Sequence, residues 1–535
     1  MKKSLGLFIA IFFAILVVGY AVPVAAEEAK ELFPDDPISV MGKGSNGNEE
    51  TPGEWYAGET PPDLQDDAPI LLFVPGLNNV AQVFWEDNDM YQTAYDAGYQ
   101  TAFVQLHDAG GASADMWNNG ELLADKIEEI SSHFEGKKIT IIGYSKGGID
   151  AQTALTYYGA SEYVDNVITL SSPHHGSQLA DLANSSWAGW LADLIGMRGE
   201  GTTAMETGYM ENFRVMMDQE PLAYANDYFT LGGTDWGSMF SSTWFGGTYL
   251  SSYGDNDGVV TTASSNLPGG HELAIGDWNH TSIRTGLTFP VFEDYIAGDY
   301  ALEEKHIFGE KESAQNNTPA TNQWVHGGSL SEENDNNINV AVEENVAKVT
   351  LHVLTADELS EINVIDPSGK EVNTNAEKVR QDEGFFPGAI SHSLTLDKPQ
   401  AGEWQVEMAT EKDNAYLLVA NYDTEMKLDL GEKTEKEIAS LQKDQQLTYN
   451  LNVNNSKEVL EDTVKATYHV TESGNPKNSE TWFVAGDANL SQELTFDKQN
   501  QAYNITIDIE GSTKDGNVLK RTIIDSVYVG EMMRK

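Results

Sequence analysis

The chain has 535 residues, with 84 Asp+Glu against 32 Lys+Arg and a formal net charge of −52. That balance argues against nucleic acid and anionic membrane surfaces as partners, because both need a basic face. At 40% hydrophobic content the chain can fold, its length exceeds one ordinary core, and the lack of Cys excludes disulfides, thiolate metal sites and cysteine nucleophiles. Lys2 and Lys3 precede an apolar run over residues 5–24 that closes on Val24-Ala25-Ala26, the pattern of a secretory signal over 1–26. The run nearly reaches bilayer-spanning length, but its small-residue end and the following Glu27-Glu28 favour a removed signal. A secreted protein without a stable membrane anchor is therefore expected. Residues 27–67 hold 12 acids against Lys30 and Lys43, broken by Pro and Gly, and read as a disordered acidic leader or linker.

Over residues 68–312 apolar runs alternate with helical patterns. Strands are expected over 70–74, 99–104, 138–143, 167–170 and 228–231, with helices over 87–96, 122–134 and 148–158. This alternation implies an α/β domain with a parallel sheet covered on both faces. Residues 178–224 form a lid-like helical insertion. Trp187, Trp190, Leu191 and Leu194 recur at helical spacing there, followed by Met205, Met210, Met216 and Met217. Such residues either face a pocket as an adaptable lid or pack as ordinary core. Beyond 312 the texture becomes short strands divided by turns such as Asp366-Pro367-Ser368-Gly369. Two β-sandwich modules are expected, over 313–425 and 426–535, the second Ig-like. They would serve as spacers, stabilisers or contacts to a surface or polymer.

Gly143-Tyr144-Ser145-Lys146-Gly147 fits G-x-S-x-G between a buried strand and a helix. A sharp turn there lifts the Ser145 hydroxyl clear of the sheet, at a helix N-terminus that favours a developing anion. An acyl-transfer site also needs an oxyanion hole. In this architecture one donor is the backbone N–H after the nucleophile, Lys146. The other comes from the loop after the first buried strand, Pro75-Gly76-Leu77-Asn78, with the Leu77 N–H as candidate.

Val74-Pro75-Gly76-Leu77, the Ser145 turn, Ser172-Pro173-His174-His175-Gly176-Ser177 and Asn256-Asp257-Gly258-Val259-Val260 together resemble the secreted bacterial lipases and esterases of the α/β-hydrolase family. The resemblance covers residues 69–292. Tyr144, Lys146 and Pro75 depart from the family's usual His, Met/Gln/Leu and His at those places. The family order is Ser, acid, His. His107 and His133 precede Ser145, and His174 and His175 follow it too closely to leave room for an acid. The resemblance then implies His280 as base, with His271 its rival, and Asp257 as acid, with Asp255 and Asp235 its rivals. Asp257 stands 23 residues before His280. Asp255-Asn256-Asp257-Gly258 also suggests a calcium loop, but Ser264 replaces the carboxylate an EF-hand needs.

The function this implies is a serine carboxylic-ester hydrolase acting through an acyl-enzyme on a neutral lipid ester. No cofactor is required, although relatives with structural calcium leave a metal open. A polyester (polyhydroxyalkanoate) depolymerase is the alternative within this chemistry, and a surface adhesin with a decayed hydrolase domain the alternative outside it. The acidity is spread along the chain, with 42 acids against 9 bases over 27–300 and 42 against 21 over 301–535. Such self-repulsion suits saline or alkaline surroundings and disfavours anionic substrates.

Overall fold

A computed structural model describes residues 30–32, 50–110, 113–196, 199–239, 241–297, 320–332, 336–372, 377–381, 384–426, 428–430, 441–453, 458–485 and 489–532. The expected signal at 1–26 and residues 27–29 and 33–49 of the leader lie outside the described residues. No helix among the described residues is long and apolar enough to cross a membrane.

The N-terminal half is built on β1 (Lys30–Leu32), β2 (Trp55–Gly58), β3 (Ile70–Val74), β4 (Thr101–Val104), β5 (Ile139–Tyr144), β6 (Val164–Leu170), β7 (Asp227–Gly233) and β8 (His271–Gly276). They form one sheet in the order β1-β2-β4-β3-β5-β6-β7-β8. Every neighbouring pair is parallel except β2 with β4. β3 and β5 are buried along their whole length because both sheet faces are covered. Alternate residues divide between two cores: Leu72, Val74 and Ile141 join one, while Leu71, Phe73 and Ile142 join the other. The helices are α1 (Met90–Asp96), α2 (Met116–His133), α3 (Lys146–Tyr157), α4 (Gln178–Asn184), α5 (Gly189–Ile195), α6 (Glu200–Ala204), α7 (Thr207–Met217), α8 (Trp244–Leu250), α9 (Thr262–Ser265) and α10 (Phe289–Phe292). Asp115 caps α2, its carboxylate accepting the Asn118 N–H at 3.0 Å.

One expectation needs correction. The 27–67 segment is not disordered throughout, since β2 pairs antiparallel with β4. Trp55 is buried there, meets His133 edge-on, and donates its indole N–H to Glu129 at 2.9 Å. One large aromatic anchors a short strand within an acidic segment that composition alone assigns to solvent. His271, the rival base, opens the edge strand β8 and stacks on Phe229.

The C-terminal half contains β9 (Ala320–Thr321), β10 (Gln323–Leu330), β11 (Asn337–Val342), β12 (Lys348–Thr355), β13 (Glu361–Ile365), β14 (Glu371–Val372), β15 (Glu377–Arg380), β16 (Ile390–Asp397) and β17 (Gly402–Ala409). It continues with β18 (Asn414–Asp423), β19 (Leu428–Leu430), β20 (Gln446–Val453), β21 (Lys465–Glu472), β22 (Asn475–Ala485), β23 (Asn489–Thr495), β24 (Gln501–Ser512) and β25 (Val518–Val529). Sheets β10-β18-β12-β16-β15 and β11-β17-β13-β14 enclose one core around Leu351, Leu418 and Val406. Sheets β23-β20-β19-β9 and β22-β21-β24-β25 enclose a second around Tyr468, Ile505 and Ile507. The modules are not strictly serial: β9, ahead of the first module, pairs with β19 in the second.

Both modules lie against the 178–224 insertion rather than projecting from it. One apolar core joins Leu191, Met205, Met210 and Met217 of the insertion to Leu417, Ala502, Ile524 and Tyr528. Met205, Met210 and Met217 have no exposed surface, whereas Trp190 and Leu194 are 58% and 56% exposed. The methionines are therefore core, but core completed by the C-terminal half. Polar contacts follow the same seam. The Trp187 indole N–H reaches both carboxylate oxygens of Asp508, at 3.1 and 2.9 Å, and its ring stacks on His326 at 4.5 Å. Ser526 donates to Asp181 at 2.7 Å and accepts the Gly208 N–H at 2.8 Å. A Cβ at Gly208 would meet the Ser526 backbone at 2.5 Å, so only glycine lets α7 approach β25 this closely.

Candidate active site

β5 ends at Tyr144 and α3 begins at Lys146, so Ser145 is the whole connection between them. It takes φ +52° and ψ −131°, a strained conformation for a non-glycine residue that costs on the order of 1–3 kcal/mol. The Ser145 N–H is tied to the Leu170 carbonyl at 2.9 Å, which holds the turn against β6. Close packing beneath it requires glycine: a Cβ on Gly76 would stand 2.7 Å from Ser145 Cβ.

His280 lies on the loop after β8, and Asp257 on the turn between α8 and α9. Ser145 Oγ is 3.1 Å from His280 Nε2, and His280 Nδ1 is 2.6 Å from Asp257 Oδ2. The His280 N–H also donates to the Asp257 carbonyl at 2.9 Å, so backbone and side chain fix the pair together. Asp257 Oδ1 accepts the N–H groups of Val259 and Val260, at 2.9 and 2.7 Å. Ser145 is 7% exposed, His280 2% and Asp257 not at all. Under His280 lies the Tyr144 ring, 5.0 Å away, whose hydroxyl accepts from Arg284 at 2.7 Å. Tyr144 and Arg284 stand 140 residues apart, and no local sequence signal pairs them.

The rivals lie elsewhere. Asp255 is exposed, and Asp235 accepts the Gly237 N–H at 2.9 Å. His174 and His175 flank the core: burial drives His174 well below its ordinary pKa and lowers His175 to about 4, so both are neutral. No group of three or more acidic or His side chains among the described residues could hold a metal ion. Both Asp257 oxygens are engaged, Oδ2 by His280 and Oδ1 by two backbone N–H groups.

Leu77 follows Gly76, and its N–H has no partner among the described residues. Lys146 is the first residue of α3, where an N–H has no intrahelical acceptor. The Lys146 side chain is buried, with its ammonium 2.7 and 2.9 Å from the Asp150 oxygens and 3.9 Å from Asp108. Asn119 donates to Asp108 at 2.6 Å and to Asp150 at 2.9 Å. Burial pushes the Asp150 carboxyl up to about 7. Burial works against the Lys146 charge too, but Asp150 and Asp108 outweigh it and hold its pKa above the ordinary value. The two directions agree physically, because two buried carboxylates share one cation and attract an extra proton. Sequence reading missed this cluster, since its members are ordinary residues on three separate elements. Over the same loop lies the insertion: a Cβ on Gly201 of α6 would touch the Leu77 side chain at 2.7 Å.

A strained Ser at a strand-to-helix turn of a mainly parallel sheet, flanked by His and Asp, defines an α/β-hydrolase. Residues 105–185 match the family model of the PGAP1-like alpha/beta domain. The chain is similar to the crystal structure of Bacillus licheniformis lipase BlEst2 in its propeptide form, at 32% identity and a TM-score of 0.73, covering 90% of this chain and 98% of that one. It is also similar to the mature form of the same lipase, at 44% identity and a TM-score of 0.44, covering 46% of this chain and all of that one. No curated protein matches. The chain belongs to the lipases and esterases of the α/β-hydrolase family and is an ester hydrolase.

Proposed function

We propose that the protein is a secreted serine hydrolase of neutral carboxylic esters, with Ser145, His280 and Asp257 as its triad. The observation that carries this is the continuous line from Ser145 Oγ through His280 to Asp257, at 3.1 and 2.6 Å. Ser145 attacks the ester carbonyl while His280 Nε2 takes its proton. Asp257 holds Nδ1–H, fixes the tautomer and stabilises the imidazolium. The N–H groups of Leu77 and Lys146 stabilise the oxyanion. His280 then protonates the leaving alkoxide, and water, activated by the same imidazole, hydrolyses the acyl-enzyme. Secretion rests on the charged and apolar pattern of residues 1–26. A net charge of −52 repels anionic substrates and leaves neutral esters as the favoured class.

The C-terminal half acts, on this reading, as a propeptide. The Bacillus licheniformis lipase is described in a propeptide form, and nearly all of that chain is matched here. In support, β24 and β25 complete the core of the insertion that lies over the Leu77 loop. Hydrolysis of p-nitrophenyl esters, tributyrin, olive oil and a polyhydroxyalkanoate film, with Ser145→Ala as control, tests the assignment. Activity on soluble and emulsified esters that vanishes in Ser145→Ala supports it. Activity retained in Ser145→Ala refutes the triad, and degradation of the film alone would make the enzyme a polyester depolymerase.

A further inference from the structure

The acyl-transfer reading assigns Leu77 and Lys146 through their backbone N–H groups and leaves the buried charges below them without a role. Those charges are costly to bury. Asp108, Lys146, Asp150 and Asn119 are each at most 2% exposed, and the set holds two carboxylates for one ammonium. A surplus buried carboxylate is unfavourable for stability unless its geometry serves another purpose.

The connections show what that geometry reaches. Lys146 presents one oxyanion donor from its own backbone, while its side chain is fixed by Asp150 one turn along α3. Asp108 faces the same ammonium and, through Oδ1, accepts the N–H of Asn78 at 3.0 Å. Asn78 directly follows Leu77 and takes φ +55°, a left-handed conformation uncommon outside glycine in which its N–H faces Asp108. Asn119 bridges Asp108 to Asp150 and accepts the His107 N–H at 3.2 Å, joining α2 to the loop after β4. The cluster thus reaches both donors, Lys146 through its own side chain and Leu77 through the peptide that follows it.

We propose that Asp108, Asp150, Asn119 and the side chain of Lys146 are positioning residues, which hold the Leu77 and Lys146 N–H groups at the spacing the tetrahedral oxyanion requires. This rests on the triad assignment above. The side chains of the cluster are not among the partners of His280, which are Ser145, Asp257 and Tyr144, so the cluster acts through the two N–H donors on the charge that develops in the transition state. Its loss lowers kcat and spares KM.

Asp108→Ala is the decisive variant. It removes the acceptor for Asn78 but leaves Lys146 and Asp150 as a balanced pair, so the fold should persist. In the full chain, and again after limited proteolysis, kcat on p-nitrophenyl acetate should fall about 10- to 100-fold, below the loss from deleting a whole oxyanion donor. KM should stay within about twofold. Lys146→Met should behave alike and Lys146→Arg should recover most of the rate. Should Lys146→Met fail to fold, Asp108→Ala decides alone. A folded Asp108→Ala with wild-type kcat, or with its loss confined to KM, overturns the proposal. A wild-type rate that survives Ser145→Ala would overturn the triad assignment instead.

Discussion

Replacing Trp187 by Ala should release the C-terminal half from the insertion it covers. Trp187 makes several contacts across that seam, including an edge-on approach to the His469 ring at 6.2 Å. Its indole N–H reaches the Asp508 carboxylate at 2.9 and 3.1 Å, and its ring stacks on His326 at 4.5 Å. A hydrogen bond to a charged group contributes about 1.5–3 kcal/mol. An aromatic stack contributes about 0.5–1.5 kcal/mol. Asp508 is only 18% exposed but keeps Thr522 at 2.9 Å and His469 at 3.4 Å, so it is not left unpaired. The lower ends of both ranges therefore apply, for a total of about 2 kcal/mol, or roughly 30-fold in the docking equilibrium. Trp187→Phe keeps the stack and loses the N–H, and should give roughly tenfold. Two readouts follow the undocked population: thermolysin cleavage of the native full chain, and its rate on p-nitrophenyl butyrate. Both should rise in the order wild type, Trp187→Phe, Trp187→Ala. Unchanged cleavage and rate in Trp187→Ala would refute the proposal that the C-terminal half is a propeptide whose docking restrains the site.

Asp257→Asn should keep the fold and lower kcat by about 10³- to 10⁴-fold, because an amide cannot fix the His280 tautomer; a loss under tenfold in steady-state kinetics would reassign the acid. Burial, with Asp181 adding repulsion, raises the Glu206 carboxyl well above its ordinary 4.5 where α6, α4, Asn504 and Ser473 meet. A raised pKa stabilises docking fully below the ordinary value and loses that contribution as pH rises through the buried one. Cleavage by added protease should therefore increase from pH 5 to pH 9 in wild type, with a flatter profile in Glu206→Gln; parallel profiles would contradict this. At a net charge of −52, the thermal midpoint should rise with NaCl, and a maximum in low salt would count against charge repulsion as a limit on stability.

The parts of the fold legible in the sequence are those with local signatures. β3 and β5 read as strands because burial on both faces makes them apolar runs, and the Ser145 turn declares itself between β5 and α3. Edge strands carry no such mark. β8, His-Glu-Leu-Ala-Ile-Gly, is nowhere fully buried, and β2 is short and set among acids. His280 and Asp257 were legible through order and family resemblance, since nothing local brings residues 23 apart in sequence into contact. The methionines of the insertion show the limit best. Their spacing suits a lid or a core equally, and the choice is made by β24 and β25, some 300 residues away in the chain. The Asp108 cluster was hidden for a similar reason, because Asp, Asn and Lys acquire their meaning only when the folded chain removes water from them.

The central claim is that Ser145 is the nucleophile of an ester hydrolase. A fluorophosphonate probe, which forms a covalent adduct only with an activated hydroxyl, tests it directly when followed by peptide mass spectrometry. Stoichiometric labelling confined to Ser145, with parallel loss of p-nitrophenyl butyrate hydrolysis and no labelling of Asp257→Asn at a comparable rate, is the expected result. Full esterase activity in a chain labelled at Ser145, or inhibition through an adduct on another residue, would contradict the account.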